Sequence, residues 1–287
     1  MHDKRISVVI PVYNEEQGIG NVLQELIDLD LFHEIIAVDD GSKDKSAEAI
    51  AQFEQVRLIQ HPYNLGNGAA VKSGLRSVTG DWVLLMDADG QHSPKDIPNL
   101  LQHIDHYDLV VGARTKQSDS QWHRDLANGV FNTYASYIVG YKVEDLTSGF
   151  RVLNYARFRR FIELLPNKFS YPSTMTIIFF RSGYTVKYQP FAANARKGTS
   201  KIRPLQDGMR FLLTITRLGV LFVPMKVFLP ISVVLLLSGS SYLAYSLMTF
   251  RRFSGFAGLL ITAGIFVFLM GLISEQISLV SRIDNRV

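Results

Sequence analysis

The chain has 287 residues, of which 47% are hydrophobic and 20% charged, and that balance excludes wholesale disorder. It has no cysteine, so disulfide frameworks, thiolate zinc sites and cysteine catalysis are excluded as well. The net charge of +4 hides a segregation: 12 basic against 22 acidic residues over 1–150, 13 against 2 over 151–224, and 5 against 2 over 225–287.

The acidic front alternates strand and helix signals. Residues 6–10, 34–38, 56–59, 82–86 and 109–111 are short apolar runs closed by turn residues, which reads as buried strands. Between them lie helical patterns. Asn14 is a candidate cap for a helix carrying Ile19, Val22, Leu23, Leu26 and Ile27 on one face, and Ser42 for the next, through Ala47, Ile50 and Phe53. A third helix is predicted over 69–78, and Pro94 opens a fourth. This alternation predicts an α/β domain with a mostly parallel sheet and helices on both faces.

Ligands of such sheets bind beyond the carboxyl ends of the strands. Three predicted strands end in Pro11-Val12-Tyr13-Asn14-Glu15, Val38-Asp39-Asp40-Gly41-Ser42 and Asp87-Ala88-Asp89-Gly90-Gln91. Asp87 and Asp89 are two apart, so an extended segment would point both carboxylates the same way. With Gln91 they form a hard-oxygen set suited to Mg²⁺ or Mn²⁺.

Other motifs fail. The dinucleotide fingerprint needs a glycine where Val71 stands, and the P-loop fails because Val71 precedes Lys72-Ser73. Gly66-Asn67-Gly68 is then a turn into a helix, from which Lys72 could reach a diphosphate. His61, His92 and His123 fall in different loops and read as surface or supporting residues. No nucleic-acid-binding module is present, so nucleic acid is not an expected partner.

The tail reads as a membrane anchor. Residues 225–248 hold one charge, Lys226, and residues 256–274 hold none. As helices they are about 36 and 28 Å long, against a bilayer core of ~30 Å. A short link carrying Arg251 and Arg252 makes them a hairpin. The larger basic count on the other side (Arg196, Lys197, Lys201, Arg203, Arg210, Arg217 and Lys226 before it, Arg282 and Arg286 after it) places the front and the C-terminus in the cytoplasm. No signal peptide is predicted, since residues 6–10 are too short an apolar run before Pro11. Residues 205–223 mix arginines with apolar residues and read equally as a membrane-surface helix or an ordinary core helix. The expected boundaries are 1–203, 204–223 and 224–287.

Together these strings, with Asn64-Leu65-Gly66-Asn67-Gly68, Gly112-Ala113-Arg114 and Asp145-Leu146-Thr147-Ser148-Gly149-Phe150-Arg151, resemble the family 2 glycosyltransferases of GT-A fold, nearest the polyprenyl-phosphate branch. The resemblance implies an inverting transfer of a hexose or N-acetylhexosamine from a UDP- or GDP-sugar to a polyprenyl phosphate. It implies that Pro11, Tyr13, Glu15, Val38, Asp40, Asp87 and Ala88 bind the nucleotide. It implies that Asp87, Asp89 and Gln91 hold Mg²⁺ or Mn²⁺, that Asp89, Asp145 and Arg114 are catalytic, and that Asp145 is a base or, preferably, an organiser of the acceptor site. Arg114, Arg124, Asn128, Arg196 and Lys201 would hold the acceptor phosphate, with Lys197 a rival to Arg196 beside Gly198-Thr199-Ser200-Lys201. The lipid bilayer is a further expected partner, and relatives of this kind form homo-oligomers. A processive polysaccharide synthase is disfavoured by only two spans and by the lack of a Gln-x-x-Arg-Trp string. A non-catalytic membrane scaffold is disfavoured by the presence of both Asp87 and Asp89.

Overall fold

The structure, a computed structural model, describes residues 4–90, 92–115, 122–168, 170–192 and 204–284. It divides into two compact units, Met1–Phe211 and Leu212–Val287.

The strands of the first unit are β1 (Ile6–Val12), β2 (Glu34–Asp39), β3 (Val56–Gln60), β4 (Trp82–Leu85), β5 (Leu109–Arg114), β6 (Arg151–Asn154) and β7 (Val186–Phe191). The five apolar runs of the front all form strands, four of them within two residues of the expected bounds, while β5 runs three residues further, to Arg114. The spatial order is β3-β2-β1-β4-β6-β5-β7. β1 to β4 are parallel, β5 and β7 are parallel to each other, and β6 runs antiparallel between β4 and β5.

The helices are α1 (Ile19–Asp28), α2 (Ser46–Ile50), α3 (Asn67–Arg76), α4 (Ile97–Leu101), α5 (Trp122–Val139), α6 (Tyr155–Phe158), α7 (Tyr171–Arg181) and α8 (Pro204–Phe222). Alternation along β1 sorts the core into two layers. Val8, Ile10 and Val12 join Ile19, Leu23 and Leu26 of α1 and Ile97, Leu100 and Leu101 of α4. Val9 faces the other way, where Gly74 of α3 lies so close that a Cβ would collide with it and press on Val38. Leu23 and Leu26 are fully buried, so truncating either to Ala would cost roughly 2–5 kcal/mol.

Two expected caps are used differently. Asn14 sits at φ +56, and α1 begins only after Gly18. Ser42 lies ahead of α2, which begins at Ser46. Both side chains instead lock the β1–α1 and β2–α2 loops together: Asn14 N–H donates to Ser42 Oγ at 2.9 Å, and Lys43 N–H to Asn14 Oδ1 at 2.8 Å. Glu15 N–H donates to Ser46 Oγ at 2.8 Å, and Lys45 N–H to Glu16 Oε2 at 3.0 Å. Polar residues at turns satisfy whichever backbone donor tertiary packing brings nearest. Pro94 does open a helical turn over Pro94–Asp96, with Ser93 Oγ accepting from Lys95 N–H.

α8 carries two apolar strips. Ile215 and Leu218 are buried, while Met209, Leu212 and Leu213 are exposed. The second unit then forms a hairpin of α9 (Pro224–Phe250) and α10 (Gly255–Asp284), joined by residues 251–254. This link is shorter than the sequence suggested, because Arg251 closes α9 in the left-handed region at φ +50. α9 buries Ser232, Gly239 and Ser246, and α10 buries Ala257, Gly264, Gly271 and Ser278, each seven residues from the last. Gly239 lies against Leu260 and Ile261, Gly264 against Leu236, and Gly271 against Met225 and Phe228. In lipid, helices gain little from apolar burial, so close contact through small residues is the main source of association. Pro224–Phe250 and Gly255–Val280 are long and apolar enough to cross a bilayer.

Candidate active site

In an open parallel sheet the ligand crevice lies where the strand order reverses. Here the chain runs from β1 outward through β2 and β3, then returns to β4 on the far side of β1. The crevice therefore sits over the carboxyl ends of β1 and β4. The β1 loop contributes Tyr13 and Glu15, both half-buried, while Pro11 is buried within the strand.

Val38 and Asp40 lie deeper than a lining role requires. Val38 is fully buried against α3. Asp40 is 2% exposed and accepts from Leu65 N–H at 2.9 Å and Gly66 N–H at 2.8 Å, with His61 Nδ1 at 2.7 Å. His61 Nε2 in turn meets Ser73 Oγ of α3 at 2.8 Å. Asp40 thus anchors the glycine turn from beneath. Gly66 has φ +108, and a Cβ at Gly66 or Gly68 would strike Asn167 or Pro166. Ala69 N–H at the start of α3 donates to Asn167 O at 3.0 Å. The start of that helix is therefore docked on residues 166–168 of the protein itself.

β4 ends at Leu85, and the chain bends at Ala88–Gly90, with Gly90 at φ +72. Asp87 and Asp89 therefore lie at a bend after the strand and not on an extended segment. Asp87 and Asp89 remain half-exposed around buried Ala88. Asp87 lies over Gly149, where an added Cβ would stand about 3.0 Å from its Cγ and closer to Oδ2. Two hard-oxygen donors beside solvent suit Mg²⁺ or Mn²⁺, which complete their shell with water and phosphate oxygens. Among the described residues no cluster of three His, Cys, Asp or Glu forms. The donor set fits a cation shared with a diphosphate better than a closed protein cage.

His92 stands behind this bend. It is 6% exposed and stacks on Phe150 with ring centroids 5.0 Å apart. Burial pushes its pKa down to about 4 against the pull of Asp89, so the ring is neutral near pH 7. Nδ1 accepts from Asp87 N–H at 3.3 Å, which leaves the proton on Nε2.

The antiparallel course of β6 brings residues 145–151 to the site. Arg151, the first residue of β6, pairs with Leu85 at the end of β4 and with Val111 of β5. Asp145 is 7% exposed and accepts from Arg114 Nε at 2.8 Å, Nη2 at 2.9 Å and N–H at 3.3 Å. It also accepts from Thr147 N–H and Oγ1 at 3.1 and 3.2 Å and from Ser148 N–H at 3.1 Å. Burial alone would raise its pKa, but the hydrogen bonds and charge of Arg114 outweigh that and hold it below the usual carboxylate range. A carboxylate so supplied with donors is a poor proton acceptor and a good anchor. The Nε–Nη2 edge of Arg114, which would clasp a phosphate through two parallel bonds, is filled by Asp145.

Tyr171 was not singled out from sequence, and Arg151 only closed the Asp145–Arg151 string with no role of its own. Arg151 is fully buried; Nη1 donates to Pro172 O at 2.7 Å and Thr176 Oγ1 at 3.2 Å, and Nε to Ser148 O at 3.1 Å. Burial lowers its pKa, and Tyr171, Tyr188, Asp145 and Asp87 oppose that shift. The available signal was an arginine heading the apolar pair Val152-Leu153. Of the remaining candidates, Gln91, Arg196, Lys197 and Lys201, and the side chains of Arg124 and Asn128, lie outside the described residues.

Residues 7–181 match Glycosyl transferase family 2, and residues 223–280 match the GtrB C-terminal hairpin. The chain is 31% identical over 195 residues to an uncharacterised protein of Methanocaldococcus jannaschii, covering 64% of this chain and 79% of that one. It is 34% identical over 193 residues to the UDP-N-acetylglucosamine–dolichyl-phosphate N-acetylglucosaminyltransferase of Methanococcus voltae, covering 58% and 76%. It is 34% identical over 190 residues to the undecaprenyl-phosphate 4-deoxy-4-formamido-L-arabinose transferase of Serratia proteamaculans, covering 60% and 58%. Among solved structures, glucosyl-3-phosphoglycerate synthase from Mycobacterium tuberculosis with Mn²⁺, UDP and phosphoglyceric acid superposes with a TM-score of 0.62 at 19% identity, over 76% of this chain and 79% of that one. At that identity the likeness concerns the fold.

Proposed function

Since the chain belongs to glycosyl transferase family 2, we propose that it moves a sugar from a nucleoside diphosphate carrier to a polyprenyl phosphate at a membrane surface. The observation that carries this reading is the carboxylate pair Asp87 and Asp89 beside the Gly149 loop, over the strand switch point, in a chain that also holds an apolar hairpin. In the reaction the bond from the anomeric carbon to the diphosphate breaks, and a bond from that carbon to an acceptor phosphate oxygen forms with inversion. A divalent cation, when bound, neutralises charge on the leaving diphosphate. Asp87 and Asp89, with Gln91, hold the donor end, and Tyr13 and Glu15 line the nucleotide cleft. The acceptor is already an anion near neutral pH, so positioning matters more than a base.

Asp145, tied to Arg114, organises the acceptor side and does not take a proton. With that edge of Arg114 committed, contact with the acceptor phosphate falls chiefly to Arg124, Arg196 or Lys197, and Lys201, whose positive charge suits phosphate, with the neutral amide of Asn128 as a further donor. The hairpin spans the membrane, and its basic flanks place the catalytic unit on the cytoplasmic face. α8 lies at the surface, its exposed Met209, Leu212 and Leu213 facing acyl chains and Arg210 and Arg217 near headgroups.

The test is transfer by purified protein in detergent, with undecaprenyl or dolichyl phosphate, labelled UDP- and GDP-sugars, and Mg²⁺ or Mn²⁺. One lipid-linked product that EDTA and Asp89→Asn both remove is the expected result. Undiminished transfer in Asp89→Asn would defeat the metal assignment, and nucleotide binding without any lipid product would defeat the acceptor assignment.

A further inference from the structure

Tyr171 opens α7 and is 2% exposed, yet its hydroxyl has no hydrogen-bond partner among the described residues. Buried hydroxyls are nearly always bonded, so an orphan calls for a reason. Its direction supplies one. The Tyr171 hydroxyl and the Asp87 carboxylate both lie within about 3.0 Å of the point where a Cβ on Gly149 would stand. Only a glycine at 149 lets the two approach. Arg151 donates to Pro172 O, next to Tyr171 at the start of α7, and both Tyr171 and Asp87 act electrostatically on it. The guanidinium is held in place by neutral acceptors on Ser148, Pro172 and Thr176. A phenol keeps its proton near neutral pH, so the hydroxyl is a donor.

We propose that Tyr171 is a positioning residue whose buried hydroxyl donates to the Asp87 carboxylate in the loaded enzyme, fixing the orientation in which Asp87 meets the cation and the donor diphosphate. The proposal rests on the assignment of Asp87 as a cation ligand. Groups that orient a metal-binding carboxylate typically change metal affinity about 10–100-fold when removed. In the unloaded protein the hydroxyl has no partner among the described residues, which is unfavourable, and it gains the bond on loading. Stability and affinity should therefore respond to its loss in opposite directions.

The experiment uses the full chain in detergent and compares wild type, Tyr171→Phe and Asp89→Asn. Mn²⁺ binding is followed by electron paramagnetic resonance, alone and with UDP or GDP, and melting is recorded without ligands. The expected result for Tyr171→Phe is a melting temperature equal to or above wild type, Mn²⁺–nucleotide affinity lowered about 10-fold or more, and a raised KM for the nucleotide-sugar. Wild-type Mn²⁺ affinity in Tyr171→Phe overturns the proposal. So does a lower melting temperature or failure to fold, because either shows that the hydroxyl already holds the unloaded protein together. If wild type binds Mn²⁺ no better than Asp89→Asn does, the carboxylate assignment itself fails, and the proposal falls with it.

Discussion

Replacing Asp145 with Asn separates an anchoring carboxylate from a catalytic base. Asp145 receives six hydrogen bonds, three of them from Arg114. Removing one member of a buried ion pair costs about 3–5 kcal/mol, mostly from the partner left behind. The Arg114 side chain keeps 28% of its surface in solvent, so partial rehydration puts the loss near the low end, about 3 kcal/mol. For a unit of about 200 residues that is a drop of roughly 6–12 °C in melting temperature. Arg114→Met should produce a similar drop, and the double variant little more than either alone, since all three break one pair. The assay is thermal unfolding of the four proteins in detergent, followed by transfer rates for each. All three variants should lose transfer to a similar extent. The reasoning is refuted if Asp145→Asn melts within about 2 °C of wild type and loses transfer while Arg114→Met keeps it, for that is the behaviour of a base.

The same pair gives a pH dependence. The folded-state pKa of Asp145 is lowered, so its contribution is complete above the unfolded value near ~4 and is lost as pH falls toward the depressed folded value; wild type should lose more stability than Asp145→Asn between about pH 5 and 3, measured by denaturant titration. Gly149→Ala places a methyl against Asp87; because a half-exposed side chain can swing away, melting should change by only a few degrees, as expected for roughly 1 kcal/mol, while Mn²⁺-dependent transfer falls at least 10-fold, and unchanged transfer would show that Asp87 need not stay in place. Gly239→Leu pushes into Leu260 and Ile261 across the hairpin, and should destabilise it by roughly 1–3 kcal/mol, read as a lower aggregation temperature in detergent, whereas Leu237→Val on the exposed face should leave it unaltered.

Much of the molecule was legible without coordinates. The front strands declared themselves as apolar runs ending at turn residues, because strands buried on both faces tolerate little else. The hairpin did so because a bilayer admits only long uncharged helices. Its seam came only with the structure: Ser232, Gly239 and Ser246 answer Ala257, Gly264, Gly271 and Ser278 at the same seven-residue spacing. The caps were not legible either, since Asn14 and Ser42 each have several donors in reach along the chain, and their choice depends on two loops meeting.

Residue types and spacing by themselves determined that this is an α/β catalytic unit with an acidic strand end and a membrane hairpin, for these follow from local periodicity and composition. Tertiary structure alone decided what each acid does. Asp40 and Asp145 look equivalent to Asp87 and Asp89 as letters, yet Asp40 is consumed by the turn at Leu65 and Gly66 and Asp145 by Arg114, while Asp87 and Asp89 stay at the solvent edge. The antiparallel placement of β6 set Arg151 beside Leu85 at the end of β4, and the turn before it brought Gly149 against Asp87. A carboxylate becomes an anchor or a ligand according to the donors folding brings within about 3 Å, and those donors come from segments that are distant in the chain.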